Sequence, residues 1–162
     1  IKVYTVKSPE KDKLQTLSRL LCHLGDRRSL VFVNYRESVE RVFRYLAQEG
    51  IACEMFHGGM EQKDRERALY KFSNGSCNVF VSTDLASRGL DIPCVDCVVH
   101  YHLPLNEDAY IHRNGRTARW DAQGSAFVVL GPEEYLPDFV RQEPEEYGLD
   151  GEAPVMGHPI YR

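Results

Sequence analysis

The chain has 162 residues, 43% hydrophobic and 27% charged, which suits one ordinary globular domain with a real core. No run of about 18 apolar residues occurs, so no membrane-spanning helix is expected. The net charge of -4 is unevenly distributed: from Gly131 onward eight acidic residues face two arginines, while residues 1–130 carry 18 Lys and Arg against 16 Asp and Glu, so a polyanionic ligand is not excluded.

In chain order, KVYTV reads as a strand. KDKLQTLSRLLCHLG follows as a helix, with Leu14, Leu17, Leu20, Leu21 and Leu24 at helical spacing and Gly25 as its stop. SLVFV is a continuous apolar run, as a strand buried on both faces requires. SVERVFRYLAQEG is an amphipathic helix, again closed by a glycine. CEMFHGG is a strand running into a loop, EQKDRERALYKFSNG the third helix, and CNVFVST the strand after it. DCVVHYHLP, NEDAYIHRNG and GSAFVVLGP complete the pattern as strand, helix and strand.

This alternation predicts an α/β fold, a mostly parallel sheet with helices on both faces. Residues 1–140 form the predicted domain. Residues 141–162 form an acidic, Pro- and Gly-containing extension, and from residue 143 the loss of periodicity reads as weak order. The opening IKVYTVKSPEKDK has no signal-peptide layout and reads as a boundary inside a longer chain. Five scattered cysteines, Cys22, Cys53, Cys77, Cys94 and Cys97, suggest reduced thiols in a cytoplasmic protein. Cys94 and Cys97 make a CxxC, but no second pair follows and Cys97 opens an apolar strand. Core packing therefore outweighs zinc or redox chemistry, and no metal site is expected.

Open parallel sheets bind ligands beyond the carboxyl ends of their strands, and the pattern places polar residues there. Asn34, Tyr35 and Arg36 follow the second strand. His57, Gly58 and Gly59 follow the third, with Gln62 and Arg65 a turn into the next helix. Ser82, Thr83 and Asp84 follow the fourth, with SRGLD (residues 87–91) downstream. YIHRNGRTARW, residues 110–120, follows the fifth. Four such loops on one edge point to a phosphate-lined groove, because amides, hydroxyls and guanidinium groups bind phosphates without reading sequence. Asp91 would repel a phosphate and suits a ribose hydroxyl instead. The residues thus point to a nucleotide or nucleic-acid site.

Blander readings stand beside this one. The arginines Arg113, Arg116 and Arg119 alone also read as a solvated helix face. His57 reads equally as a ligand or as a structural loop histidine. His100 and His102 read as structural, Arg41 and Arg44 as helix surface, and Asp84 as the N-cap of LASRG.

SLVFVNYRESVE, HGGMEQKDRERAL, VFVSTDLASRGLDIP and YIHRNGRTAR resemble, in order and spacing, motifs IV, IVa, V and VI of the second, C-terminal RecA-like domain of DEAD-box RNA helicases. The resemblance covers about residues 1–140. It implies a three-layer RecA-like fold and the C-terminal half of an ATP-dependent motor that clamps single-stranded RNA through phosphates and sugars. Arg116 and Arg119 match the motif VI arginines that reach ATP across an interdomain cleft. Released by a helix end at Gly115, they would act as arginine fingers, worth about 10³–10⁵ in rate.

Asp91 matches the ribose contact, with Gly89 in the same nucleotide-binding string. Thr83, Arg65, Gln62, Tyr35 and Gly58 match RNA-contacting positions, Tyr35 standing where threonine is usual. His112 and Arg113 match groups that contact the partner domain or hold the closed state. Asn114 replaces a usual apolar residue, and Ala118 and Asp121 replace glycines.

The GxxxxGK[ST] loop and the DEAD quartet are missing from this sequence. The resemblance assigns both, with ATP and Mg²⁺, to an N-terminal RecA-like domain. It therefore implies RNA and that domain as partners, a monomer without membrane association, and an isolated chain that does not turn over ATP. A non-catalytic RNA-binding adaptor with the same fold is the alternative, which Arg116, Arg119 and Asp91 disfavour. A DNA-directed relative is disfavoured by His112 and RGLDIP.

Overall fold

A continuous apolar strand needs cover on both faces, and the elements of this protein are arranged to supply it. The computed structural model describes residues 1–88, 92–117, 124–141 and 143–149. Its elements are β1 (Lys2–Lys7), α1 (Leu14–Leu24), β2 (Ser29–Phe32), α2 (Arg36–Gln48), β3 (Cys53–Phe56), α3 (Gln62–Ser73), β4 (Val79–Ser82), a 3-10 turn (Asp84–Ser87), β5 (Cys97–His100), α4 (Glu107–Asn114), β6 (Ser125–Leu130) and β7 (Glu145–Glu146). Among the described residues the strands form one sheet in the order β3-β4-β2-β5-β6-β1-β7. Every neighbouring pair is parallel, so the sheet expected to be mostly parallel is wholly so.

Each helix forms where one stripe of it is apolar. On one face α1 buries its five leucines and α2 buries Val39, Val42 and Leu46. They meet Val31, Val33, Val81, Val99 and Val129 of the strands. On the other face α3 sets Ala68 and Phe72 against Leu30, Phe32, Phe80 and Val98. Full burial of one leucine is worth about 1.5–3 kcal/mol, so α1 is the main clamp on its face. Gly25 at φ 68° and Gly50 at φ 82° follow α1 and α2 in the left-handed region, where a Cβ would be strained. The second face is completed by α4 and by residues 131–141, which lay Leu136 and Val140 over Val3, Ala126, Val128 and Leu130.

Beyond residue 140 the structure departs from the sequence reading. Glu145 and Glu146 pair with Tyr4 and Thr5 of β1, and the Tyr147 N–H donates to the Thr5 carbonyl at 2.7 Å. The Tyr147 ring packs edge-on against Tyr4 and Phe127, and Leu149 joins the α1 side of the core. Residues 143–149 therefore belong to sheet and core rather than to a weakly ordered tail. Lys2 and Lys7 lie 3.2 and 3.6 Å from Glu145 and Glu146. Backbone bonding and the packing of Tyr147 and Leu149 hold this piece, and two apolar residues in an otherwise polar run leave too short a period to read. Residues 150–162 lie outside the described residues.

One buried cation ties the carboxyl edge together. The Lys13 side chain is 5% exposed, and its Nζ donates to the carbonyls of Tyr101 and Val129 and to the Glu134 carboxylate. The loop after β1 is thereby fastened to the ends of β5 and β6. Burial pushes the Lys13 pKa down, against the opposing pull of Glu134.

Candidate functional site

Because β4 lies between β3 and β2, three loops leave the carboxyl edge side by side. Gly58 follows β3, Thr83 follows β4, Tyr35 follows β2, and His102 follows β5. The strands are spaced by about 4.8 Å. Tyr35 is the N-cap of α2 and is 58% exposed. Its ring meets the His102 imidazole edge-on at 6.0 Å. The Asn34 N–H donates to His102 Nδ1 at 2.9 Å and so fixes that imidazole. Burial, with the nearby Lys13 and Arg113 charges, pushes the His102 pKa down to about 4, leaving the ring neutral at pH 7.

Arg36 lays its guanidinium across the loop after β3, where a Cβ on Gly58 would come within 2.9 Å of Nη2. It has no hydrogen bond or ion pair among the described residues, an open cation that the sequence placed at this edge without a role of its own. Its position in NYR, just after a strand, was the available signal. Gln62 and Arg65 sit on the first turn of α3 and bond one another at 2.6 Å. His57 is buried, and its Nδ1 accepts from the Gly59 N–H at 3.0 Å. Glu40 lies 3.2 Å from Nε2 without hydrogen-bond alignment. The inward aim of His57 favours its structural reading.

Behind this open row lies a closed polar knot. The Arg113 side chain is completely buried. Its Nε and Nη2 donate to the two Asp84 carboxylate oxygens at 2.6 and 3.0 Å, and Nη2 also reaches Asn34 Oδ1 at 2.6 Å. Nη1 donates to the His102 carbonyl at 2.9 Å and lies 3.4 Å from His100 Nδ1. A desolvated guanidinium is tolerated only when its N–H groups are met, and here they are. His100 is wholly buried beside it, its Nε2 donating to Asn114 Oδ1 at 2.7 Å. Burial first, and the Arg113 charge second, drive the His100 pKa down to about 3.

Two expectations change here. Arg113, expected to contact a partner domain or hold a closed state, makes internal contacts because no part of its side chain reaches solvent. Asp84, expected as a helix cap, is instead the buried guanidinium's counter-charge. Thr83 does the capping: its Oγ1 accepts from the Leu85 N–H at 3.3 Å, so its expected RNA contact shares the hydroxyl with a cap.

The fourth loop does not share the edge of the other three. α4 begins just past Asn106, whose Oδ1 accepts from the Ala109 N–H at 2.8 Å. From the carboxyl end of β5 it returns along the sheet for eight residues, about 12 Å. Arg116 therefore stands by the amino end of β5, where its carbonyl accepts from the Val95 N–H at 3.0 Å. The half-buried Arg116 guanidinium donates to the Ser87 carbonyl through Nε and Nη2 at 3.1 and 2.6 Å. Arg113 and Arg116, three apart on one helix end, thus grip the first and last residues of the same 3-10 turn.

Gly115 ends α4 as expected, but at φ −62°, and a Cβ there would meet carbonyl oxygens at an ordinary 3.4 Å. Gly124 is the glycine that packing demands, since a Cβ on it would lie 2.7 Å from the Thr117 carbonyl oxygen. His112 is partly exposed on the outer side of α4, with its Nδ1 2.8 Å from the Asp108 carbonyl. Gly89, Asp91 and Arg119, with Ala118 and Asp121, lie outside the described residues.

Residues 12–121 match the family described as the helicase conserved C-terminal domain. The chain is 46% identical over 122 residues to the ATP-dependent RNA helicase mak5 of Sclerotinia sclerotiorum, an alignment covering 74% of this chain and 16% of that protein. It superposes with a TM-score of 0.80 on the E. coli DEAD-box protein SrmB, solved bound to regulator of ribonuclease activity A, at 32% identity over 96% of this chain and 98% of that one. With S. cerevisiae Dbp5 bound to RNA and ADP BeF3 the TM-score is 0.79 at 26% identity, over 92% of this chain and 41% of that one. The matched segment is therefore a small part of the mak5 relative and nearly the whole of the SrmB chain.

Proposed function

The chain belongs to the helicase C-terminal domain family in its DEAD-box branch, and we propose that it is the C-terminal motor domain of an ATP-dependent RNA helicase. The open row at the carboxyl edge carries this reading. Gly58, Thr83, Tyr35, Arg36 and the Gln62–Arg65 pair offer hydroxyl, amide and guanidinium donors suited to a sugar-phosphate strand. The RNA and nucleotide analogue held by the similar Dbp5 structure support it.

Arg116 fits the nucleotide side of the proposal. It is partly exposed, and it stands on a face separate from the open row. A guanidinium there stabilises charge developing on a transferred phosphoryl group. A nucleotide phosphate held by another domain would offer it a charge-assisted bond. Asp91, Gly89 and Arg119 join it on the strength of the sequence. Among the described residues no three His, Cys, Asp or Glu side chains form a metal-binding group. Mg²⁺ enters the proposal with ATP, on an N-terminal domain that would face the His112 side of α4. The free cysteines suit a reducing compartment, the cytoplasm in this reading, and we propose a monomer.

The test is RNA-stimulated ATP hydrolysis by the parent protein, wild type against Arg116→Ala. Turnover should fall at least a hundredfold, about 2.7 kcal/mol of transition-state stabilisation, with ATP affinity largely kept. Unchanged turnover would return Arg116 to a structural or RNA-contacting role. A parent that binds RNA without hydrolysing ATP would instead establish the adaptor reading.

A further inference from the structure

We propose that the ring face of Tyr35 stacks on one base of the bound strand, so that the groove grips RNA by a base as well as by its backbone. This rests on the RNA-binding reading above and goes beyond it, since phosphate and sugar contacts alone need no aromatic surface.

Tyr35 is the aromatic residue of the open row. The exposed rings of Tyr70 and Tyr135 stand elsewhere, the first two turns down α3 and the second in the segment after β6. A phenol hydroxyl also stands a ring's length farther from the backbone than a threonine hydroxyl. It does not reproduce a threonine's contact; what it adds at this position is a flat apolar face.

That face is already oriented. Tyr35 meets His102 at an interplanar angle of 62°. His102 is fixed by the Asn34 N–H and by the Tyr101 ring at 5.1 Å. One edge of the phenol is therefore supported while more than half of the residue remains in solvent. Little side-chain freedom is lost when a base arrives, which favours affinity.

Arg36, the next residue, runs the other way, over Gly58 beyond the end of β4. An unpaired guanidinium and a supported aromatic ring thus diverge from adjacent positions. A nucleotide seated between them would meet a cation with its phosphate and a π-face with its base. Aromatic platforms beside a cationic track are a general device for holding single strands, tolerant of sequence because every base has a π-face.

The experiment measures affinity of the parent protein, with a non-hydrolysable ATP analogue, for a ten-nucleotide uridine RNA and for the same RNA with one abasic nucleotide walked along it. Wild type should show one position where the abasic nucleotide weakens binding by about tenfold to a hundredfold. Tyr35→Thr should lose a similar factor on intact RNA and lose nothing more with the abasic strand, and Tyr35→Phe should restore both behaviours. Equal abasic losses in wild type and Tyr35→Thr would overturn the proposal, as would a Tyr35→Phe defect as large as that of Tyr35→Thr. If Arg65→Ala weakens binding while Tyr35→Thr does not, backbone binding stands and stacking falls. If wild type fails to bind the RNA at all, both readings fall.

Discussion

Two polar clusters share the ends of β2 and β4, and they are finished in opposite ways. The inner one, Asp84, Asn34, His100, His102 and Asn114 gathered round the fully buried Arg113, has every N–H of that guanidinium matched. The outer one, Gly58, Thr83, Tyr35, Arg36, Gln62 and Arg65, faces solvent, with Arg36 unbonded among the described residues and Gln62 and Arg65 in exposed bonds to one another and to Glu66. Arginine serves in both, so residue type does not decide the role. Saturation does. A guanidinium ringed by acceptors is a fastener, and one lying over a glycine with nothing to bond is a site for an anion. The knot sets where the open row stands, since Asn34 and Asp84 anchor the loops that carry Tyr35 and Thr83.

The contrast breaks most visibly at Arg113. Arg113→Ala should destabilise the chain by about 3 kcal/mol, the low end for breaking a buried pair, because Asp84 is 39% exposed and regains some water. A urea midpoint equal to that of wild type would show that the knot is not a fastener. Acid should separate the clusters next. The folded His100 pKa is held near 3, whereas unfolded histidine titrates near 6.5. As pH falls between those values the unfolded chain takes up a proton that the native state refuses. Stability should therefore drop by up to about 1.4 kcal/mol per pH unit from this residue, and His102 acts in the same sense down to about pH 4. Urea midpoints at pH 7, 6 and 5 should follow that slope and flatten in His100→Asn; an acid-insensitive wild type would remove the charge argument. The smallest effect belongs to the open row. Arg65→Ala should shift stability by no more than about 0.5 kcal/mol while weakening RNA binding, and a large stability loss would move Arg65 into the fastened set.

The strands and helices were legible because each carries a period: five leucines on α1, unbroken apolar runs in β2 and β4, glycines where α1 and α2 stop. β7 was not, being two glutamates held by backbone bonds. At the site, loops placed after β2, β3 and β4 follow directly from strand order, so Tyr35, Gly58 and Thr83 were found by counting. What a strand end contributes next depends on where the chain goes, and HRNGR gives no sign that α4 carries Arg116 back to the opposite edge. Nor does STDL tell which neighbour caps and which pairs; Thr83 and Asp84 suit either task until Arg113 is seen beneath them.

β7 has one more consequence. It lies along the outer flank of β1, whose backbone groups would otherwise line the sheet's border next to Tyr4. A species ending near residue 140 would keep the helices and the carboxyl-edge loops yet present a bare strand that a second copy can zip onto. The short acidic segment therefore works as a bumper: it satisfies part of the border, and with two paired residues of its own it is too short to offer a full new edge.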